Sequence, residues 1–171
     1  MNLKLDNTHL FEVCQEFDWK NPPFAAKEFA QELVVLMKNH NAFGISANQV
    51  GYPYRIFAMK GVEENYVFFN PRIVFFGKET VDLEEGCLSF PALISKVTRP
   101  NMIRFRFESL DGETRTKDYI GMTARVIQHE VDHLNGICFF NRISKLKFDM
   151  MKKRALKRGF NYEKLEYKKA T

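Results

Sequence analysis

The chain is poor in histidine, in cysteine and in long apolar stretches. Four histidines and three cysteines among 171 residues leave few ways to hold a transition metal. Cys14, Cys87 and Cys138 are too few and too scattered for a disulfide framework. A reducing cytosol is the simplest setting, and a thiolate there is free to serve a metal. No apolar run approaches the roughly 20 residues that a membrane span needs, so no membrane partner is expected. The opening MNLKLDNTHLFEVCQEF has no apolar h-region and is not Arg/Ser-rich. It reads as neither a secretory signal nor a transit peptide. Internal repeats and low-complexity linkers are absent, so residues 1–171 are read as one domain with a real core.

Apolar residues make up 45% and charged residues 27%, an ordinary globular balance. The net charge of +5 is uneven. From Arg142 to Thr171 eleven Lys/Arg stand against three Asp/Glu, a net of +8, which leaves −3 for the first 141 residues. The basic character belongs to the tail, about 146–171, read here as helical.

After Asn21-Pro22-Pro23, the residues Phe24, Phe29, Leu33, Leu36 and Met37 fall near helical spacing. They predict a helix from about Phe24 to His40, ended by Asn41-Ala42-Phe43-Gly44. From Tyr54 to Phe107 the text changes to short β-rich runs: YRIFAMK, NYVFFN, RIVFFG, ETVDLEEG, LISKVT and MIRFRFE. In the last of these, Ile103, Phe105 and Phe107 alternate with Arg104, Arg106 and Glu108, which suits a sheet with one wet face. Asp111-Gly112 is a hairpin turn signal. Helical period returns after Gly121 through about Leu134, with Gly136 as its C-cap. A last helix is expected from about Lys145 to Arg158, ended by Gly159. The order predicts an α+β fold, with mostly antiparallel short-stranded sheets packed around the helix that carries IQHEVDHL.

On that helix His129 and His133 stand one turn apart on one face. Both imidazoles can point at one ion, and Glu130 lies beside them, able to reach a water on that ion. Two histidines on a helix surface are the plainer alternative. His9 and His40 lack such company and are read as surface residues. A catalytic ion of this kind takes three protein ligands and keeps one position open. Downstream, Asp149, Glu163 and Glu166 all lie in the basic tail. Upstream, Cys87 in EGCLS follows a strand-like run. It either completes a Cys/His/His set or is an ordinary buried thiol, and the residues alone leave these even.

Glu85-Gly86-Cys87-Leu88-Ser89 followed about forty residues later by Gln128-His129-Glu130-Val131-Asp132-His133-Leu134-Asn135-Gly136 resembles peptide deformylase. The family's third motif, GxGLAAxQ, is matched by the stretch from Ala42 to Gln49. The three stand in the family's order and at its spacing, and the similarity covers roughly residues 24 to 145. The stretch ARVIQHEVDHLNG is nearer to the plant organellar branch than to the common enterobacterial form. Ala42 replaces the first motif glycine, Ile45 a leucine and Ser46 an alanine. Ala42 makes a tight turn harder if positive φ is needed there. The family's N-terminal segment, with its proline and arginine, is not found before residue 24.

The resemblance implies removal of the N-formyl group from formyl-methionine at the start of new polypeptides. It implies one divalent ion on Cys87, His129 and His133, typically Fe2+, with Zn2+, Ni2+ or Co2+ able to substitute. It implies Glu130 as general acid and base, and the Gln49 amide and Leu88 backbone N–H as oxyanion donors. Substrate backbone would run along Gly44 and Ile45, close to Gly86. Met122, Arg125 and Val126 lie on the metal face of the helix and are candidate walls for the methionine pocket; for Met122 and Val126 core packing is an equal alternative. The Arg125 stem would line the pocket while its guanidinium reaches solvent. Glu85 is expected to accept an imidazole N–H, and Asp132 to pair with Arg99.

The implied setting is the cytoplasm of a bacterium, or of an infected host if the chain is viral. The implied partners are N-formylmethionyl nascent peptides, met by a monomer. The basic tail is either a solvated face or a contact with the ribosome. Two rivals stand against this reading: a metallopeptidase of the HExxH type, and an inactive relative that binds RNA or ribosomes. The complete ligand set and the retained Glu130 argue against the second.

Overall fold

The computed structural model describes residues 4–170. Its elements run α1 (Ala26–Asn39), β1 (Gly44–Ser46), β2 (Ile56–Lys60), β3 (Asn65–Phe76), β4 (Thr80–Cys87), β5 (Phe90–Pro100), β6 (Met102–Glu108), β7 (Thr114–Ile120), α2 (Gly121–Leu134) and α3 (Lys145–Lys157). The strands form a five-stranded sheet, ordered β1-β2-β3-β6-β7, and a separate β4-β5 hairpin. Every ladder between them is antiparallel. The expected α+β class is the observed one.

α1 begins at Ala26, two residues later than the prolines suggest, because Phe24 has another task. It packs on Phe29 with ring centroids 4.5 Å apart. That contact joins the residue before the N-cap to the fourth helical position, a hydrophobic staple that fixes the chain's entry angle. The helix ends with Asn41 N–H donating to Lys38 and Ala42 N–H donating to Met37. Asn41 takes the left-handed conformation, φ 51°. This is a Schellman end with asparagine in the usual glycine place. Ala42 therefore needs no positive φ, and the feared cost of a missing glycine there does not arise.

Two runs read separately, NYVFFN and RIVFFG, are one strand, β3. Pro71 has no N–H to give the ladder, and the register shifts between Phe69 and Arg72. The adjoining Asn70, φ 46°, turns its side chain onto the backbone of Phe17 and the carboxylate of Glu108. β6 alternates as expected: Ile103, Phe105 and Phe107 are buried. β1 was not foreseen; three residues are too few to show a period.

α2 lies against the five-stranded sheet through Ala124, Ile127, Val131 and Leu134. Gly136, φ 69°, closes it as a C-cap should, with its N–H donating to His133 and that of Ile137 to Asp132. α3 ends at Lys157, and residues 158–170 carry no helix, so the expected helical tail is only half helix. Gly159, φ 86°, ends the helix as a glycine C-cap, its N–H donating to Leu156 and that of Phe160 to Ala155, and the Tyr162 and Tyr167 hydroxyls then donate to the carbonyls of Pro91 and Ile143, pinning the irregular segment back on the body. No helix among the described residues is long and apolar enough to cross a membrane.

Candidate metal centre

Three elements converge on one point. α2 presents His129 and His133 with Nε2 atoms 3.1 Å apart. β4 ends at Cys87, whose Sγ lies 3.3 Å from His133 Nε2. The ligand atoms of all three lie within 4.8 Å of one another. The thiol that the spacing left undecided is thus beside the imidazoles. One sulfur and two nitrogens suit zinc, iron, cobalt and nickel alike.

His129 is held from behind. His129 Nδ1 stands 3.0 Å from Glu85 Oε2, which leaves Nε2 to face the centre. Glu85 also receives Arg99 at 2.6 and 2.9 Å and Arg125 at 2.7 Å. Burial pushes its carboxyl up, but Arg99 and His129 hold it well below the usual carboxylate range. Arg99 reaches on to Asp132 at 2.6 Å, as expected, and Arg142 grips the same carboxylate through two nitrogens. Arg125 departs from expectation. It is buried, and its guanidinium donates to Glu85 and to the carbonyls of Val97 and Val81 instead of reaching solvent. Those two carbonyls belong to the two strands of the β4-β5 hairpin, so Arg125 ties α2 to both of them.

Burial drives the His133 imidazole well below its ordinary value, and the neighbouring His129 charge adds to this. Neutral imidazole is the form a metal needs. Burial also opposes charge on His129, yet hydrogen bonds to Cys87 and Glu85 outweigh it and raise its pKa to about 10.

Glu130 is buried, and burial raises its carboxyl to about 7. Its Oε2 has no hydrogen-bond partner among the described residues. A buried carboxylate oxygen without a partner is costly, unless a water or ion is its intended company. That orphan oxygen and the donor set together fit a bound ion with a reactive water.

The Gln49 amide is fixed at both ends. Its oxygen accepts from Ser46 N–H at 3.0 Å and Ser46 Oγ at 3.1 Å. Its nitrogen is thereby turned towards Cys87 Sγ at 3.3 Å and Ser89 Oγ at 3.0 Å. Ser46 also restrains the upward shift of the Glu130 carboxyl. Ser46 and Ser89 were not singled out from the sequence, although both stand inside quoted motifs. The signal was there for Ser46, a hydroxyl where the pattern has a methyl.

A cavity of about 430 Å³ opens over these groups. Gly44, Gly86, Leu88, Met122, Arg125 and Val126 all line it. Ile45 does not; it is fully buried in the core beneath, since neighbours on a strand face opposite ways. His40 reaches the cavity rim, which its isolation in the sequence did not suggest.

Residues 3–149 match the family model described as polypeptide deformylase. The chain belongs to the polypeptide deformylase family. It is 36% identical over 146 residues to a peptide deformylase of Rhodopseudomonas palustris, covering 80% of this chain and 83% of the relative. It is 37% identical over 150 residues to one of Wolbachia pipientis, covering 80% and 84%. Among solved structures it is similar to the deformylase of Thermus thermophilus, with TM-score 0.81, 30% identity and coverage of 91% and 93%. Peptide deformylase 1B of Arabidopsis thaliana gives TM-score 0.81 at 25% identity, covering 98% and 97%. The deformylase fold therefore extends over nearly all of the chain, including its irregular front.

Proposed function

We propose that the chain removes the N-formyl group from N-formylmethionyl peptides and releases formate, with Cys87, His129 and His133 holding one divalent ion. The observation that carries this is the convergence of those three ligand atoms beside a buried Glu130 whose outer oxygen is free. Such an ion, once bound, lowers the pKa of a water from 15.7 to about 7 and polarises a carbonyl.

The chain's own groups supply the rest. Glu130 takes the proton of the attacking water and later delivers one to the leaving amine; a carboxyl raised to about 7 can do both near neutrality. The Gln49 amide nitrogen and the Leu88 backbone N–H donate to the oxygen that gains charge at the formyl carbon. One such donor is worth about 3 kcal/mol of barrier. β1 is an edge strand of its sheet, so its outer side is open to an extended peptide. Backbone pairing along Gly44 and Ile45 would bind any sequence after the methionine. The methionine side chain enters the cavity between Met122, Val126 and the stem of Arg125.

Ferrous iron is the physiological ion in this reading, with zinc, nickel and cobalt as substitutes. Release of formate from formyl-Met-Ala-Ser, followed anaerobically with iron or with nickel, tests the proposal. The wild-type chain turns over, and Glu130→Ala binds metal but does not. Cleavage of internal amide bonds without formate release would return the peptidase reading.

The tail adds a partner to the proposal. Lys153, Arg154, Lys157 and Arg158 are exposed and share one side of α3 by helical spacing, a basic face suited to ribosomal RNA, and Lys168 and Lys169 are exposed as well. Phe148, Met151 and Ala155 of α3 belong to the core, so truncation would damage the fold. Charge reversal at Lys153, Arg154 and Lys157 is the cleaner test. It should abolish salt-sensitive ribosome association and leave formate release from free peptide intact.

A further inference from the structure

Behind α2, on the face turned away from the histidines, lies a second cavity of about 950 Å³. Four arginines line it, Arg55, Arg72, Arg99 and Arg142, against two carboxylates, Glu16 and Asp132. Arg99 and Arg142 share Asp132, and Arg99 has Glu85 behind it. Arg72 pairs with Glu16, and both are half exposed.

Arg55 is different. It is more than nine-tenths buried. It donates to the carbonyls of Leu134 and Pro71 and to the Asn135 side chain, and no carboxylate pairs with it among the described residues. Its Nε has no partner among the described residues. The C-terminal end of α2 offsets part of its charge, but a helix end carries only about half an elementary charge. Burial, with the nearby Arg72 charge, lowers its pKa. Arg72 uses one nitrogen on Glu16 and Arg142 two on Asp132, so each keeps N–H groups unspent.

We propose that this cavity is a binding site for a phosphate group. Arg72 and Arg142 bring unspent N–H groups to it from two different parts of the chain, and Arg55, whose terminal nitrogens are engaged and whose Nε is closed off, adds an unpaired positive charge in its wall. A tetrahedral oxyanion offers acceptors in several directions and can engage such forks together, whereas a planar carboxylate presents two oxygens in one plane. The phosphate comes either free or as part of an RNA backbone, and the chemistry at the arginines is the same.

Calorimetric titration of the intact, metal-loaded protein distinguishes these. The titrants are inorganic phosphate, a 5′-mononucleotide and a short single-stranded RNA. Saturable binding is expected, about tenfold weaker in Arg72→Ala because one charge-assisted hydrogen bond is lost. It should be unchanged in Arg104→Ala, an exposed arginine that pairs with Asp118 on another part of the sheet. Arg72 lies at the surface, so its removal spares the core. RNA is the source if the oligonucleotide binds more tightly than phosphate, with a steep salt dependence lost in Arg72→Ala. Free phosphate is the source if RNA binds no better. The proposal is overturned if none of the three binds, or if wild type and Arg72→Ala bind equally. Equal weakening in Arg104→Ala would overturn it too, by showing diffuse charge.

Discussion

A Cβ built on Gly44 would lie 2.6 Å from Oε1 of Glu130. The glycine of β1 is thus there for the carboxylate of α2, whose side chain fills the space any larger residue would need. Its φ is not in the left-handed region, so the demand is for room and not for an unusual backbone. Gly44→Ala should keep its metal and lose about a hundredfold in kcat/KM, the usual result of displacing a reacting group by about 1 Å. Metal analysis beside peptide kinetics checks this; a fully active Gly44→Ala would mean that Glu130 can move without harm.

Metal loading should expel protons. His129 is charged in the metal-free site, with its pKa raised to about 10, while a metal takes only neutral imidazole. Its charged form is favoured at every pH below that value, so protons compete with the ion and affinity should rise with pH from 6 towards about 9. Titration of zinc into the metal-free chain, repeated in buffers of different ionisation enthalpy, counts the protons released. The expected count at pH 7 is at least one, and in His129→Gln the contribution of this residue disappears.

Glu85 gives the metal-free protein its acid sensitivity. Its folded pKa is depressed below the ordinary value of 4.5. The stability it supplies is therefore complete above the unfolded pKa and is lost as pH falls from there through the folded one. Urea unfolding of the metal-free chain should show a steep loss of stability below about pH 4.5. Glu85→Gln should be destabilised by about 3–5 kcal/mol at pH 7, because two buried guanidiniums lose a partner, and its acid limb should be flatter. Parallel curves for the two proteins would place the acid sensitivity elsewhere.

What the sequence made legible divides along physical lines. The alternation in MIRFRFE and the four-residue step from His129 to His133 are periodic, and period survives into structure without help from distant parts. Cys87 is not periodic. Only the pairing of β4 with β5 and the approach of that hairpin to α2 bring it to the imidazoles, and a motif resemblance stood in for that knowledge. Arg125 shows the limit most clearly. Its place on the metal face was readable from helical spacing, but its partners are Glu85 and two backbone carbonyls of the hairpin, which no pattern in the chain marks. In the tail the stop at Gly159 was legible, and it ends α3; what no pattern marks is that Tyr162 and Tyr167 then tie the irregular segment to the body through their hydroxyls. Phe24 was taken as a first helical residue because its spacing fits; its role as staple depends on which face Phe29 buries.

Ser46 offers the last test. It holds a hydroxyl where the family pattern has alanine, and that hydroxyl is buried between Gln49 and Glu130. In Ser46→Ala the backbone N–H still meets the Gln49 oxygen, so the amide keeps its orientation and binding of substrate should hardly change. A hydroxyl has one hydrogen, so it favours the charged form of Glu130 only when it turns from Gln49 to that carboxylate, and Ser46→Ala removes this. Burial raises the carboxyl and Ser46 restrains that rise, so without Ser46 the pKa moves further up. The acid limb of kcat should shift to higher pH, and kcat at neutral pH should fall by about fivefold to tenfold with KM constant, as expected for one net hydrogen bond of about 1 kcal/mol. Threonine at this position should restore the limb. A fall in kcat with an unmoved limb would show that the hydroxyl only fills space; an unchanged kcat would show that the methyl of the family pattern serves as well.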